Sequence, residues 1–596
     1  MSAVRRVLLI ISLSLAATAL LAQSDAPAPS KSKSKKPPVA APAPEPEPAQ
    51  PEPEVVRKPT EPVTAVTDSD VTNARVYRLS LAEALKNTVE RNLGIQLQRY
   101  DYQQAGYSLR SNYGIFDWLT TADIERQSLQ SPPSSASQAS SRRATIANFG
   151  LQQNLPTGGA YSVGFNNSRA ATAGGFTTVS PAYTTNLTLG LTQPLLRNFG
   201  IDVTRRNINL ARNTLGISRE AFRAVLIGAA VTAEQAYLDL VYARQNVEVV
   251  KEAVFLARDQ ARITQIRIDV GASAPLDILQ PNVQIATTEE QLISAVAAVR
   301  DAEDRLRQVM HLDPSDWDRP IVPVDPIDYK PLPVDSQQSV SRAFDLRPEV
   351  REQHLGIDSK RIAWLFAKNQ TLPKLDLSLS YGAAGLAGTF FDPVTGQPTG
   401  VSTAYPHALG QSLASDFPSW TVAVNVGIPV LNIGAKAEAK RAELDYRSSR
   451  TSEDNIREQI AIDVRHAVRA IDTAAKQIAQ TKTAREAAEK NLDAEKKRFE
   501  NGMTTNFNVL QIQQQLSDAR VAELQALVGY NKAVADYHRA VGDLLDIRNI
   551  SVDESDRIDE PQFFTRFDRY NWLYYANRFH VDDPVAGGAP KEEPKK

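Results

Sequence analysis

The sequence contains no cysteine. This absence excludes disulfide bonds, thiol nucleophiles, thiolate metal sites and a lipid-modified N-terminal cysteine. A net charge of −2 gives no indication of a nucleic-acid partner. The six histidines lie far apart along the chain and lack the spacing of metal ligands. The sequence therefore predicts a protein that is not an enzyme and has no catalytic, cofactor or metal site.

Long apolar runs are also missing beyond the N-terminus. Within residues 1–22, Arg5 and Arg6 precede an apolar run that continues to Leu21, and the small residue Ala22 follows. This order is the pattern of a secretory signal peptide. The run has about 15 residues, fewer than the roughly 20 that span a bilayer, which favours a cleaved signal over an uncleaved anchor. No later stretch reads as apolar over about 18 residues, so we expect any membrane-spanning part to consist of strands.

Residues 23–75 are rich in proline, alanine, lysine and glutamate. Such a composition cannot bury a core and predicts an extended, disordered linker. The alternative interpretation is a spacer that lies in the periplasm or interacts with the cell wall.

The rest of the chain contains one unit twice. Four residues recur at a constant offset of 231 positions, each time after a long helical pattern and before a second helix. The pairs are Arg267 and Arg498, Gly271 and Gly502, Leu279 and Leu510, and Gln280 and Gln511. An offset of this size indicates a duplicated domain-sized unit rather than a solenoid repeat. We assign the first repeat to residues 76–313, a proline-rich connector to 314–338 and the second repeat to 339–549.

Each repeat is predicted to contain one very long helix. Proline is absent from Ile201 to Ile268, and alanine and valine recur every seven positions along that stretch, which predicts close packing against neighbouring helices with left-handed coiling. Gly434 to Glu500 is the equivalent stretch in the second repeat. At about 1.5 Å per residue, each helix should be roughly 100 Å long.

Short segments before each long helix alternate between apolar and polar residues, which is typical of strands. The clearest are Trp118–Arg126, Thr184–Gln193, Leu375–Tyr381 and Trp420–Ile428, with a Gly/Ala/Thr-rich loop predicted at about 382–418. Two further strand-like segments at 145–168 either lengthen an extracellular hairpin or enlarge a barrel. One apolar face and one small, polar face match a transmembrane barrel, with lipid outside and water inside.

These strands are too few to close a barrel within one chain. Single-chain outer-membrane barrels begin at about eight strands, and an open sheet edge cannot lie in lipid. Several chains must therefore share one barrel if the strands span a membrane. The alanine-rich helices need partners as well, and a single oligomer satisfies both requirements.

The order helix, strand, strand, long helix and second helix, present twice, resembles the TolC-like outer-membrane efflux proteins over about residues 77–549. The matching segments are Leu189–Gly200, Val426–Gly434, Arg267–Gly271 with Leu276–Gln280, Arg498–Gly502 with Asn508–Gln511, Arg347–Val350 and Leu372–Pro373. By this resemblance the strand-to-helix turns contain Pro194 and Gly200 in the first repeat, and Pro429 and Gly434 in the second.

The resemblance implies an α+β membrane protein. Its chains would form a homotrimer that shares a twelve-stranded transmembrane β-barrel in outer-membrane lipid, continued by a periplasmic α-helical barrel. It would passively conduct substrates from an inner-membrane transporter and a periplasmic adaptor protein to the exterior. The adaptor would dock at the hairpin tips. These tips contain Arg267, Val270 and Gly271 in the first repeat, and Arg498, Asn501 and Gly502 in the second.

The same family closes its periplasmic tip with charges and hydrogen bonds. By resemblance the gate positions are Asp277, Gln280, Phe499, Thr504, Asn508 and Gln511. The family's tyrosine and arginine fall at Phe499 and Thr504, and its acidic pair falls at Asn508 and Gln511, so only Asp277 keeps a charge. A ring of carboxylates attracts cations, and we therefore expect a weaker closure and lower cation selectivity. Asp277 is equally open to interpretation as a helix N-cap.

Two alternatives concern the whole chain and its end. Eight aromatic residues lie within 563–579 of the C-terminal segment 550–596, which is either a clasp on the outside of the helical barrel or a docking segment for another protein. The alternative to a channel is a periplasmic helical scaffold without a pore. Outward-facing valine and leucine on duplicated hairpins favour the channel, because a scaffold has no need of them.

Overall fold

The structure is a computed structural model that describes residues 76–130, 132, 140–173, 177–392 and 394–550. All of these residues lie in the second of two units into which the chain divides, Asp68–Lys596. The predicted signal peptide and linker lie outside the described residues, as does the aromatic segment from residue 551 onward.

The first repeat consists of a helical pair, four long strands and a long helical hairpin. Its elements are β1 (Tyr77–Leu79), α1 (Leu81–Arg91), α2 (Leu93–Asn112), β2 (Leu119–Gln130), β3 (Ser141–Asn154), β4 (Ala160–Ala173), β5 (Val179–Pro194), α3 (Ile201–Thr204), α4 (Arg206–Asp269) and α5 (Leu279–Met310). Asn92 ends α1 and begins α2, because its side chain accepts hydrogen bonds from the N–H groups of Gly94 and Ile95.

The second repeat follows the short connector strand β6 (Ile321–Pro323). Its elements are α6 (Ser336–Leu346), α7 (Pro348–Gln370), β7 (Lys374–Phe391), β8 (Pro398–Ser402), α8 (Tyr405–Ala414), β9 (Phe417–Gly427), α9 (Ile433–Glu500), α10 (Asn506–Val541) and α11 (Leu544–Ile547). The loop predicted at 382–418 is therefore wrong, because β7 continues through its first part and β8 and α8 occupy most of the rest.

The predicted long helices are confirmed. α4 has 64 residues and α9 has 68, which correspond to about 96 and 102 Å at 1.5 Å per residue. The seven-residue pattern in α4 is the buried face of this helix. Buried members are Ala236, Ala243, Val250 and Ala257 from one track, and Ala233, Leu240, Val247 and Val254 from the other. Alanine at these positions lets α5 and α10 approach α4 closely.

One expectation about α4 needs correction. By length and composition alone, this helix contains an apolar stretch long enough to cross a membrane, although none was expected after the N-terminus. In the structure 61% of that stretch is buried against other elements. Burial of this extent is that of a core helix, and the stretch is accounted for by helix–helix packing.

The long strands form one antiparallel sheet in the order β2-β3-β4-β5-β7-β9, and the short β8 pairs with the end of β7 beyond β9. β3 and β4 contain the extra segments predicted at 145–168 and pair with their neighbours over their length. They widen the sheet rather than lengthen a hairpin. The first repeat therefore contributes four strands to this sheet, including the two whose place the sequence left open.

The two faces of the sheet have the predicted difference in polarity. Across β4, β5 and β7, one face aligns Val163, Leu189 and Tyr381, whereas the other aligns Gly190 and Ser380. Every second residue of a strand points to the same face, so Phe165, Leu187 and Leu379 lie on the apolar side as well.

Helix α8 covers the apolar face of β5 and β7 at the end of the sheet far from the long helices. The hydroxyl of Thr185 donates to the carbonyl of Ala408 at 2.8 Å, and the hydroxyl of Tyr405 donates to Asn167 Oδ1 at 3.0 Å. Gly385 permits this contact, because a Cβ there would lie 1.9 Å from the carbonyl oxygen of Ala408.

Tyr237 joins α4 to the two-stranded parallel sheet of β1 and β6. Its side chain is buried, and its hydroxyl lies 3.2 Å from both the carbonyl oxygen of Leu79 and a carboxylate oxygen of Asp325. The hydroxyl also accepts a hydrogen bond from the N–H of Asp325 at 3.2 Å. Burial is the main cause that raises the pKa of Tyr237 to about 12.

Replacing Tyr237 with phenylalanine should lower the free energy of unfolding by about 0.5–1.5 kcal/mol, because the hydroxyl's hydrogen bonds to the Leu79 carbonyl and the Asp325 N–H are lost. The raised pKa means that folding favours the neutral phenol. The contribution of this raised pKa to the free energy of unfolding is complete at pH values below the ordinary pKa of 10.0, and it is lost as the pH rises through about 12. Thermal unfolding, followed by circular dichroism at neutral pH and at about pH 11, measures both effects.

Tyr242→Phe is the control for this prediction, because the Tyr242 hydroxyl accepts only an exposed hydrogen bond from Gln525. We expect this variant to keep the alkaline loss of stability seen in the unmodified protein, and Tyr237→Phe to reduce that loss. An identical pH dependence in all three proteins would contradict the assignment to Tyr237.

Candidate functional site

The tips of the two long helical hairpins have the same backbone structure. In the first, the N–H of Ala272 donates to the carbonyl of Arg267 at 2.7 Å, and in the second the N–H of Met503 donates to the carbonyl of Arg498 at 2.9 Å. Each bond joins the third residue after the helix to its last turn, as in a Schellman motif. The duplicated Arg–Gly pattern is therefore a helix-ending signal in both repeats.

Glycine is required at both tips by backbone conformation. The φ angle is 76° at Gly271 and 73° at Gly502, in the left-handed region that disfavours residues with a Cβ. A Cβ at either position would meet no atom within 4 Å. The constraint is thus the φ angle and not the available space, so the tip surface is open to a partner.

Arg267 connects the first tip to the second. One of its guanidinium nitrogens donates to the carbonyl of Phe499 at 2.6 Å and to that of Glu500 at 3.1 Å. The guanidinium carbon also lies 4.1 Å from the centroid of the Phe499 ring. These carbonyls belong to the last turn of α9, where a positive charge satisfies free acceptors and opposes the negative end of the helix dipole.

The duplicate of Arg267 behaves differently. Arg498 forms an ion pair with Glu495 of its own helix at 3.4 Å, and its side chain is largely exposed. The two arginines thus occupy equivalent backbone positions, but only Arg267 bridges the two hairpins. Sequence comparison of the repeats identified the pair and could not separate these roles, since Phe499 is far from Arg267 along the chain.

Asp277 acts as a cap in this structure. Its carboxylate accepts a hydrogen bond from the N–H of Ala274 at 3.0 Å, at the start of the 3₁₀ turn Pro275–Ile278 that precedes α5. This contact favours the cap interpretation for the isolated chain. Gln280 and Gln511, the neighbouring predicted gate residues, have exposed side chains.

Thr504 and Asn508 meet at a carboxylate that the sequence did not single out. The Asn508 side-chain amide donates to Thr504 Oγ1 at 3.0 Å, and the Thr504 hydroxyl donates to Glu495 Oε1 at 2.5 Å. Glu495 is 6% exposed. These residues form a hydrogen-bonded chain that joins the end of α9 to the start of α10. Its signal in the sequence is weak, because a glutamate within a highly charged helix has no distinguishing pattern.

Further polar contacts join the two hairpins above the tips. The side-chain amide of Gln260 donates to Asn506 Oδ1 at 2.7 Å, and that of Gln284 donates to Gln514 Oε1 at 3.2 Å. Together with Arg267 they hold the two hairpins of one chain side by side. Within the described residues no group of three histidine, aspartate or glutamate side chains is arranged to hold a metal ion.

Apolar side chains surround both tips and are exposed in the single chain. Those of the first tip are Val270, Leu276, Leu279 and Val283, and those of the second are Met503 and Phe507. Leu276 and Phe507 are equivalent positions of the two repeats, which gives both tips a similar apolar surface. Asn501 is turned back onto its own helix, because its side-chain amide donates to the carbonyl of Lys497 at 2.8 Å.

Both strand-to-helix turns contain an asparagine with a positive φ. In the first repeat it is Asn198, at 66°, and Gly200 follows at 110°, directly before α3, while Pro194 is the last residue of β5. In the second repeat Asn432 takes this conformation at 49°, and its side chain donates to the carbonyl of Thr371 at 2.7 Å. Gly434, which the resemblance places in this turn, lies in the first turn of α9.

Arg267→Lys should loosen the contact between the two tips. Lysine keeps the charge but lacks the planar guanidinium that stacks on the Phe499 ring while one of its nitrogens reaches both carbonyls. We expect faster amide hydrogen exchange over residues 499–506, measured by mass spectrometry. Arg498→Lys is the matched control and should leave exchange in the first tip unchanged. Equal effects of the two substitutions would contradict the bridging role of Arg267.

Comparisons with known proteins agree with this fold. A family model described as outer membrane efflux protein matches residues 126–310 and 340–543, more than half of the chain. The outer membrane efflux protein BepC of Brucella suis is 22% identical over 358 residues, which cover 60% of this chain and 71% of that protein.

Two solved structures have a similar fold at low sequence identity. The CmeC outer membrane channel of Campylobacter jejuni is 15% identical with a TM-score of 0.57, over 81% of this chain and 90% of that one. The open state of the MtrE outer membrane channel of Neisseria gonorrhoeae is 15% identical with a TM-score of 0.53, over 79% and 91%.

The family model matches once in each repeat, and both matches include the tips and the strand-to-helix turns described above. The predicted resemblance to TolC-like channels is confirmed, as is the location in the outer membrane with the helical part in the periplasm. The chain belongs to the outer membrane efflux protein family.

Proposed function

We propose that the protein is the outer-membrane channel of a tripartite export system. It passively conducts substrates from an inner-membrane transporter and a periplasmic adaptor to the exterior. The observation that carries this proposal is the direct connection of an amphipathic sheet to helices of about 100 Å, through the turns that follow β5 and β9. A membrane-spanning strand continues in this way into a helix long enough to reach far into the periplasm.

A homotrimer is the assembly that fits these elements. β2 and β9 lie at the two ends of the sheet, each with one unpaired edge, and such edges are not tolerated in lipid. The scaffold alternative leaves the apolar face without a purpose. Val422, Val424 and Val426 on β9 are each more than half exposed in the single chain, as expected for side chains that face lipid or another chain.

The hairpin tips are the proposed docking surface for the adaptor. Val270 and Met503 are 72% and 70% exposed and lie beside Gly271 and Gly502. A rigid Schellman turn with an apolar rim is suited to receive a helical hairpin of a partner. The proposed docking residues are Arg267, Val270, Gly271, Arg498, Asn501 and Gly502.

The gate is proposed at the level of the residues that begin α5 and α10. Its residues are Asp277, Gln280, Phe499, Thr504, Asn508 and Gln511. The Arg267–Phe499 contact and the Thr504–Glu495 hydrogen bond take the place of the charged lock of the family. One carboxylate per chain, Asp277, would remain at the constriction and would give a modest preference for cations.

Ion selectivity tests this gate. Asp277→Asn retains an acceptor for the Ala274 N–H and removes the charge, so the ratio of cation to anion permeability should fall. Asn508→Asp introduces a charge at the equivalent position of the second repeat and should raise that ratio. Reversal potentials across planar bilayers containing the purified protein measure both changes. Unchanged potentials in both variants would remove these positions from the constriction, and the absence of any conductance in the unmodified protein would contradict the channel itself.

The orientation of the sheet is tested by a pair of substitutions on β5. Leu189→Arg places a charge on the proposed lipid face and should cost about 2–4 kcal/mol if it lies near the bilayer midplane, so that the amount recovered in outer-membrane fractions falls. Asn186→Arg places the same side chain on the opposite, water-facing side and should leave that amount unchanged. Equal recovery of both variants would contradict the assignment of the faces.

A further inference from the structure

The two ends of the sheet have matching lengths. β2 has 12 residues and β9 has 11, and both present a continuous unpaired edge. Apolar side chains on these end strands are strongly exposed, with Ile124 at 72% and Trp420 at 76%. Six strands are fewer than the roughly eight needed to close a barrel within one chain, so another chain must cover both edges.

The strand directions allow the two ends to meet in copies of the same chain. All five pairings between β2 and β9 are antiparallel. The two end strands therefore run in opposite directions. β9 of one chain placed beside β2 of the next is then also antiparallel, and the ring closes without a parallel pair. An even number of strands per chain is what makes this possible.

The stagger of the sheet indicates the register of that contact. A line of directly paired residues runs from Leu119 on β2 to Thr421 on β9, through Gln152, Ser162, Gly190 and Ser380. β9 continues for six more residues below this line, to Gly427. If Leu119 pairs with Gly427 of the next chain, all residues of β9 find a partner on β2.

This register also preserves the two faces. It places Ala122 opposite Val424, Ile124 opposite Val422 and Arg126 opposite Trp420 on the apolar side, and Thr121 opposite Asn425 on the polar side. A shift by one residue would exchange the faces of the whole strand. A shift by two would leave part of β9 unpaired.

The resulting stagger matches the geometry of known barrels. Six residues over six strands is one residue per strand. With a rise of about 3.4 Å and a strand spacing of about 4.8 Å, this stagger corresponds to a tilt of about 35°, at the lower end of the range of 35–45° for outer-membrane barrels. The tilt follows from the sheet register and from full pairing of β9.

We infer that three copies of this chain close an eighteen-stranded barrel, in which β2 of each chain pairs with β9 of the next with Leu119 opposite Gly427. This inference rests on the proposed membrane function. It departs from the twelve strands that the resemblance to TolC-like proteins implies, because the β2–β3 hairpin adds two strands per chain. Since barrel diameter grows roughly linearly with strand number, the barrel would be about half as wide again. The narrowest point would then lie at the periplasmic tips, far from the membrane.

Cysteine crosslinking tests the register, because the natural chain has no cysteine. In the double variant Ala122→Cys/Val424→Cys the two side chains of neighbouring copies lie opposite each other. Oxidation with copper phenanthroline, or treatment with a short bifunctional methanethiosulfonate, should convert most of the protein in outer-membrane fractions to covalently linked trimers. The control Ile124→Cys/Val426→Cys is four residues out of register, about 13 Å apart, and should remain monomeric in denaturing gels.

The outcomes separate this inference from the proposed function. A covalent trimer in the first variant and none in the control supports the eighteen-stranded barrel. No crosslink in the first variant, in a protein that still forms trimers and conducts ions, would overturn the inference and leave the channel intact. Crosslinking of the control instead would also overturn the stated register. A protein that is neither trimeric nor conducting would refute both proposals.

Discussion

The unpaired edges of the sheet are the constraint on which the rest of the structure depends. β2 and β9 each carry a row of backbone N–H and C=O groups without a partner among the residues that the structure describes. In hydrocarbon each such group costs several kcal/mol, so an open sheet cannot remain in lipid. An apolar face that requires lipid and edges that forbid an isolated chain can only be reconciled by association. In the proposed assembly the helices are subject to the same constraint, because α4 and α9 follow β5 and β9 in the chain and would surround a common axis once the strands close.

The two repeats share a backbone and differ in the use of side chains. Both tips end in the same Schellman turn at Gly271 and Gly502, which fixes where each hairpin reverses. Arg267 then spans from the first tip to the last carbonyls of α9, whereas Arg498 remains on its own helix. Within one chain, the two tips are thus held together by the contact of Arg267, which the second repeat does not reproduce. In the proposed gate, this asymmetry would close the tip without the charged residues that the family pattern places at Thr504, Asn508 and Gln511.

The sequence predicted the elements whose signals are local. The heptad spacing of alanine and valine identified α4 and its buried face, and the duplicated glycines identified both tips, because each depends on periodicity or on the φ angle of one residue. Non-local features were missed. The alternation at 145–168 was visible, but its place in the sheet depends on pairing with β2 and β5. The glycine-rich pattern at 382–418 was interpreted as a loop, whereas Gly385 is there because α8 packs against the backbone of β7.

The candidate site was predictable to the same degree. The positions of the tips and turns followed from motifs, whereas the partners of their side chains did not. Glu495 receives the Thr504 hydroxyl and Phe499 receives Arg267, and neither contact has a sequence pattern. In the second turn Asn432 has a positive φ, because asparagine tolerates that conformation and its side chain gains a hydrogen bond there.

The number of strands in the assembled barrel is the quantity that tests this account most directly. Electron cryomicroscopy of the full chain in lipid nanodiscs, with a section taken through the membrane-embedded part, would count them. The account predicts threefold symmetry and eighteen strands, with β2 of one chain beside β9 of the next. A twelve-stranded ring with the β2–β3 hairpin outside it, or a particle containing a single chain, would contradict it.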